Sequence, residues 1–178
     1  MSNEWYDPTA GMYKYKYEPV EEELNLDIIL LREGAKEPTL GDPMAACYDL
    51  YCPPGTIPEE TNGSYLMVPL GIKIKIPEGY HAKIYPRSSL PLRYKVTLGN
   101  CVGIIDSGFL NEWQLIIHPG GWSDIDMHDF LEACKAGVKL AQVEFVHNGL
   151  KPKFNRVTDF GDAYDRGGGF GSTDNKGV

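Results

Sequence analysis

LGIKIKIPEGY, residues 70–80, alternates apolar and basic side chains with a period of two. Ile72, Ile74 and Ile76 fall on one side and Lys73 and Lys75 on the other, the signature of a half-buried β-strand and not of a 3.6-residue helix. Pro77 and Gly79 then stop the run. The same pattern spreads in both directions. LNLDIILL (24–31) is an apolar strand candidate, and HAKIYP (81–86), KVTLGNCVGII (95–105), WQLIIH (113–118) and VKLAQVEFVH (138–147) continue the series. Many short strands punctuated by Pro and Gly predict an all-β sandwich or barrel. No internal repeat stands out.

Two segments break the pattern. SSLPLRY (88–94) reads as one helical turn, with Ser as cap and Pro tolerated early. In SDIDMHDFLEACKAG (123–137), Met127, Phe130, Leu131 and Cys134 recur at helical spacing between a polar start and Gly137, which predicts a short helix. DIDMHD, inside it, looks like the start of a calcium loop but lacks the glycine and closing glutamate of one, so it reads as a solvated helix start.

A chain of 178 residues is long enough for one domain with a real core. Residues 1–22 read as an N-terminal extension, 23–164 as the β domain and 165–178 as a flexible, glycine-rich tail. The extension, with YKYKY followed by EPVEEE, is either a poorly ordered, surface-draped arm or one that packs its rings on a neighbouring subunit. The tail is no Walker loop, since no GK[ST] follows its glycines. No apolar run approaches the roughly 20 residues that span a bilayer, and the N-terminus lacks the layout of a signal peptide. A soluble, cytoplasmic protein without membrane contact is the expectation. A net charge of −8 argues against broad capture of nucleic acid, yet leaves room for an anionic small molecule held by a few fixed cations and N–H groups. Cys47, Cys52, Cys101 and Cys134 form no CxxC pair and read as buried free thiols rather than disulfides or zinc ligands.

The chemistry gathers around GNCVGIIDSGF (99–109). Asp106 ends an apolar run just before Ser107-Gly108, Asn100 opens that run, and Phe109 follows the bend. Alone, Asp-Ser-Gly is good turn sequence and nothing more. In order along the chain, however, AACYDL (45–50), PRSSL (86–90), GNCVGIIDSGF, GVKLAQ (137–142) and RGGGFGST (166–173) resemble the five motifs of the trimeric dUTP pyrophosphatase (dUTPase) family. The resemblance spans residues 24–174.

That resemblance implies a distorted, β-clip-like jelly-roll subunit of a homotrimer, with three active sites each built from three chains. The implied reaction is hydrolysis of dUTP to dUMP and pyrophosphate, which keeps uracil out of DNA and supplies dUMP for thymidylate synthesis. The third motif would be a β-hairpin receiving the deoxyuridine, with Asn100 and backbone groups of Gly103 and Ile105 on the uracil edge. Cytosine would leave buried polar groups unpaired, at about 1–3 kcal/mol each. Phe109, where the family usually has tyrosine, would pack under the deoxyribose; its other reading is a core residue. Asp106 would be the catalytic carboxylate, orienting water towards the α-phosphorus and holding the sugar 3′-OH. Arg87, Ser88, Ser89 and Gln142 would bind phosphates, and Asp49 would lie near the metal–phosphate end. Mg2+ would ride on the phosphates and water, with no direct protein ligand. From the tail, Arg166 would reach the γ-phosphate, Phe170 would stack on uracil, and Gly171, Ser172 and Thr173 would add donors.

The match departs from the family pattern in places. Cys47 stands for a glycine, Lys139 for an arginine, Val138 for an acid, and Leu110-Asn111 for a polar-Gly pair; RGGGF is one residue short. Three other functions stay open on the sequence alone. One is dCTP deamination, with Glu112 as the nearest acid/base. Another is hydrolysis of a modified-pyrimidine triphosphate. The third is a nucleotide-gated regulatory role, with a protein partner docking on the arm or on residues 119–136.

Overall fold

The computed structural model describes residues 4–7, 9, 12–15, 23–61, 65–120 and 124–162, with backbone alone for 4–7, 12–15, 119 and 124–126. The chain divides into two units, Met1–Asn148 and Gly149–Val178. In the extension, β1 (Glu4–Asp7) and β2 (Met12–Tyr15) pair as an antiparallel hairpin, with Glu4 opposite Tyr15. Tyr13–Tyr15 of the Tyr–Lys alternation is therefore strand, in keeping with the β preference of tyrosine.

The domain proper is built from β3 (Asp27–Leu30), β4 (Thr39–Leu40), β5 (Tyr48–Tyr51), β6 (Glu59–Thr61), β7 (Tyr65–Pro69), β8 (Ile72–Lys75) and β9 (Tyr80–Pro86). Then follow α1 (Ser89–Tyr94), β10 (Val96–Leu98), β11 (Gly103–Asp106), β12 (Gln114–Pro119), α2 (Asp124–Ala136) and β13 (Lys139–His147). One sheet runs β10-β12-β7-β6, a second runs β11-β9-β13-β5-β4, and β3 pairs with β8. Every pairing is antiparallel. The two larger sheets share one core: Leu66, Val68, Leu115 and Ile117 from the first meet Leu50, Ala82, Ile84, Leu140 and Val143 from the second. This is the all-β jelly-roll architecture that the period-2 runs predict. Ile72, Ile74 and Ile76 are buried while Lys75 is exposed, so the opening run partitions as its alternation requires.

One predicted strand is in fact two. KVTLGNCVGII breaks at Gly99–Val102, where the chain leaves the first sheet as β10 and enters the second as β11. The expected β-hairpin is likewise a corner between sheets: β11 pairs with β9, whereas β12 pairs with β10 and β7. Crowding and a left-handed residue make the corner. A Cβ on Gly99 would lie 2.8 Å from the Tyr65 ring, and Cys101 has φ 60°.

Both predicted helices form. α1 starts after Ser88, whose side chain makes no capping bond, and buries Leu90. α2 buries Phe130 and Cys134, and Phe130 meets Tyr94 edge-on. The thiols differ from expectation. Cys52 and Cys134 are buried, and the Cys52 Sγ donates to the Cys134 carbonyl at 3.4 Å, but Cys47 is half-buried and Cys101 exposed. Cys101 is exposed because the corner turns it out of both sheets.

Gly137 ends α2 with φ 74°, and a Cβ there would come within 2.8 Å of Pro54. A left-handed conformation costs a non-glycine residue about 1–2 kcal/mol. We expect Gly137→Ala to lower folding stability by at least that much in denaturant titration.

Candidate active site

Beyond Leu98, β10 no longer covers β12. Leu98 faces Ile117, and the Gly99 N–H donates to the Ile116 carbonyl at 2.8 Å, after which the chain turns away. Gln114 and Leu115 are left without a strand on that side among the described residues, and β11 is the edge of its own sheet. Between these two open edges lies a cleft of about 240 Å³. Asn100, Gly103, Ile104, Ile105, Asp106 and Phe109 line it, together with Met67, Ile84, Leu98 and residues 114–116. The residues matched to base and sugar thus converge with the matched acid. Unpaired strand edges offer backbone donors and acceptors already fixed in direction, which suits them to reading the edge of a flat heterocycle.

Local geometry explains how Asp106 is presented. Its carbonyl accepts from the Phe109 N–H at 3.0 Å, so the backbone closes the Asp-Ser-Gly-Phe turn and the side chain is exposed. Among the described residues its carboxylate has no hydrogen-bond partner. The Cβ that Gly103 lacks would lie 3.3 Å from the Ile84 Cβ and 3.5 Å from the Asn100 amide nitrogen. A side chain there would press on Ile84 and touch the asparagine at the cleft.

A second cleft, of about 310 Å³, is lined by Gly41, Asp42, Ala45, Cys47, Asp49, Arg87, Ser88 and Gln142. Strand order builds it. β13 lies between β5 and β9, so Gln142 sits opposite Asp49 on one side and Tyr85 on the other, and Arg87 follows the end of β9. Asp49 is nearly buried. Its Oδ1 lies 3.1 Å from Arg87 Nε and its Oδ2 2.8 Å from Lys139 Nζ. The hydrogen bond to Asp49 holds the Lys139 amine above its ordinary pKa, against the opposing effect of burial. Gln142 Nε2 donates to the Pro86 carbonyl at 3.3 Å. Ser89 is half-buried at the first position of α1, beside the cleft rather than in its lining.

The structure thus divides the matched residues into two groups. Asp106 faces His81 near the start of β9, whereas Arg87 follows its end, six residues or roughly 20 Å along the strand. Arg166, Phe170, Gly171, Ser172 and Thr173 lie outside the described residues. Gln114 lines the first cleft and Lys139 adjoins the second through Asp49, though the motifs name neither as a site residue. Lys139 announces itself only through the register that sets β13 against β5, and Gln114 only through the corner that uncovers β12.

Glu112 is elsewhere. Its Oε1 accepts from Arg32 Nη2 and from the Gly71 N–H at 2.9 Å, and it lines neither cleft. An acid/base for amine release is therefore not supplied by this residue. Removing it strands a half-buried N–H and a guanidinium, so Glu112→Ala should cost about 1–3 kcal/mol of folding stability, measurable by chemical denaturation.

A family model for dUTPase matches residues 33–174. The deoxyuridine 5′-triphosphate nucleotidohydrolase of Syntrophotalea carbinolica is 33% identical over 154 residues, covering 84% of this chain and 97% of the relative. Among solved structures, the Staphylococcus bacteriophage 80alpha dUTPase with dUpNHpp aligns with a TM-score of 0.66 at 23% identity, over 86% of this chain and 99% of that one. A dUTPase from phage phi11 of S. aureus, whose structure shows the coordination of a structural Mg(II) ion, aligns with a TM-score of 0.57 at 22% identity, over 76% and 98%. At that identity the structural likeness speaks for the fold, and the family match and the sequence relative for descent: the chain belongs to the dUTPase family.

Proposed function

We propose that each active site of this dUTPase joins the first cleft of one subunit to the second cleft of a neighbouring copy in a homotrimer, with Asp106 as the catalytic carboxylate. The reaction is hydrolysis of dUTP to dUMP and pyrophosphate. The observation that carries the proposal is the division of the matched residues between opposite ends of β9. A nucleotide whose sugar touches Asp106 has its α-phosphorus only a few ångströms away. The phosphate-matched Arg87 of the same chain is roughly 20 Å off along β9. A second copy supplies it at close range.

In this arrangement the uracil edge meets Asn100 and the backbone of Gly103 and Ile105, and Phe109 lies against the deoxyribose, where a ribose hydroxyl would find neither room nor partner. A carboxylate at the rim of that pocket holds a water, accepts its proton as the oxygen attacks the α-phosphorus, and pyrophosphate leaves with the electrons of the broken P–O bond. A carboxylate is a weak base, so most of the barrier is lowered by alignment and by charge on the phosphates. Arg87, Ser88, Ser89 and Gln142 supply the latter from the second cleft, and the tail residues Arg166, Phe170, Gly171, Ser172 and Thr173 complete the enclosure. The analogue bound to the 80alpha enzyme supports a triphosphate of this kind as ligand.

Mg2+ fits this cleft as part of the substrate. Asp49 has both oxygens engaged by cationic side chains, which leaves phosphate oxygens and water as the ligands of an ion carried in by the nucleotide. Bound there, the ion would neutralise charge that builds on the departing pyrophosphate. The phi11 enzyme's structural Mg(II) supports the use of this metal in the family. No described helix is long and apolar enough to cross a membrane, and a cytoplasmic location accords with a nucleotide substrate.

Asp106→Asn should lower kcat by about 10²–10⁴ while retaining affinity for a non-hydrolysable analogue. Mixed with separately inactive Arg87→Ala chains and reassembled, it should regain part of the pyrophosphate release, because some hybrid sites then contain both wild-type residues. No recovery on mixing would refute the shared site.

A further inference from the structure

We propose that Lys139 is a positioning residue for the phosphate cleft, acting through Asp49 to fix the guanidinium of Arg87. The inference rests on the reading of the second cleft as the phosphate site. Asp49 is a nearly buried carboxylate whose two oxygens are divided between two cations: Oδ1 to Arg87 Nε at 3.1 Å and Oδ2 to Lys139 Nζ at 2.8 Å. An arginine held by its Nε keeps the four N–H groups of its two terminal nitrogens for an anion. Its plane is set by the carboxylate, and the carboxylate is set by the lysine.

Three further observations fit a strut. Lys139 is itself braced, its ammonium 5.5 Å from the centre of the Tyr51 ring, while the Tyr51 hydroxyl shares a 2.6 Å hydrogen bond with Thr39 Oγ1. Gly41 closes on the same oxygen that Lys139 holds: a Cβ there would lie 3.2 Å from Oδ2. Charge gives the third. At the cleft, Arg87 and Lys139 stand against Asp42 and Asp49, which balance. Without Lys139 the balance turns negative where a polyanion must bind. The raised pKa of the amine keeps it charged throughout neutral pH. Asp49, which the motifs put near the metal–phosphate end, thus also serves two basic side chains.

Inorganic triphosphate with Mg2+ is the probe, since it carries neither base nor sugar. By calorimetry, Lys139→Met should bind it about tenfold more weakly than wild type, the loss of roughly one charge-assisted hydrogen bond. KM for dUTP should rise by a similar factor with kcat within about twofold, and Lys139→Arg should recover most of the affinity. In an Arg87→Ala background, adding Lys139→Met should cost much less than it does alone, because the strut then has nothing to hold and only its charge is lost. Additive losses, or equal affinity of wild type and Lys139→Met, would overturn the inference. Lys139→Gln provides the same comparison should the Met variant not fold. Failure of wild-type protein to turn over dUTP would sink the dUTP reading alone; it leaves the triphosphate comparison intact.

Discussion

β9 is hydrogen-bonded on both flanks, to β11 on one and to β13 on the other, and this double ladder sets where the chemistry can be. Ile84 lies between Gly103 and Val143, and His81 between Asp106 and Val146. Ala82 and Ile84 are buried, so a slip of one residue would turn them to solvent and carry Asp106 to the opposite face. The core therefore guards the register, and the register fixes the separation of the two clefts. Neither cleft can adjust towards the other without breaking the sheet.

Electrostatics works on a smaller scale than the whole molecule. On an acidic chain, Arg87 and Lys139 are concentrated around one carboxylate, Asp49, which on the proposed reading gives an anionic substrate local cations to meet. A buried carboxylate left without partners would be costly. Here its partners are two cations, Arg87 and Lys139, so the carboxylate is satisfied and, on the proposed reading, the guanidinium is oriented towards phosphate. The base-binding cleft uses a different resource, backbone edges and apolar walls, with Asp106 at its rim.

Much of this could be read from residues in order. The alternation at Ile72–Ile76 gave strands, the spacing of Phe130 and Cys134 gave a helix, and the motifs placed Asp106, Asn100 and Phe109 in one pocket and Asp49, Arg87 and Gln142 in another. What stayed hidden depends on pairing between distant segments. KVTLGNCVGII looks continuous because every residue type in it suits a strand; only the packing of Gly99 under Tyr65 and the left-handed Cys101 reveal the corner. Lys139 looked like a mere replacement for arginine until β13 came to lie beside β5. Glu112 looked available because sequence proximity to Asp106 says nothing of Arg32, some eighty positions earlier.

The open edge of β11 has a cost beyond recognition. Backbone N–H and C=O groups kept free for a nucleobase are equally free for any passing strand, and Ile104, half exposed beside them, adds an apolar incentive. Most sheets hide such a border with a bulge, a lysine or a covering loop. On the proposed reading it must remain bare to receive the base, so bound nucleotide would also shield the molecule from sticking to its own kind.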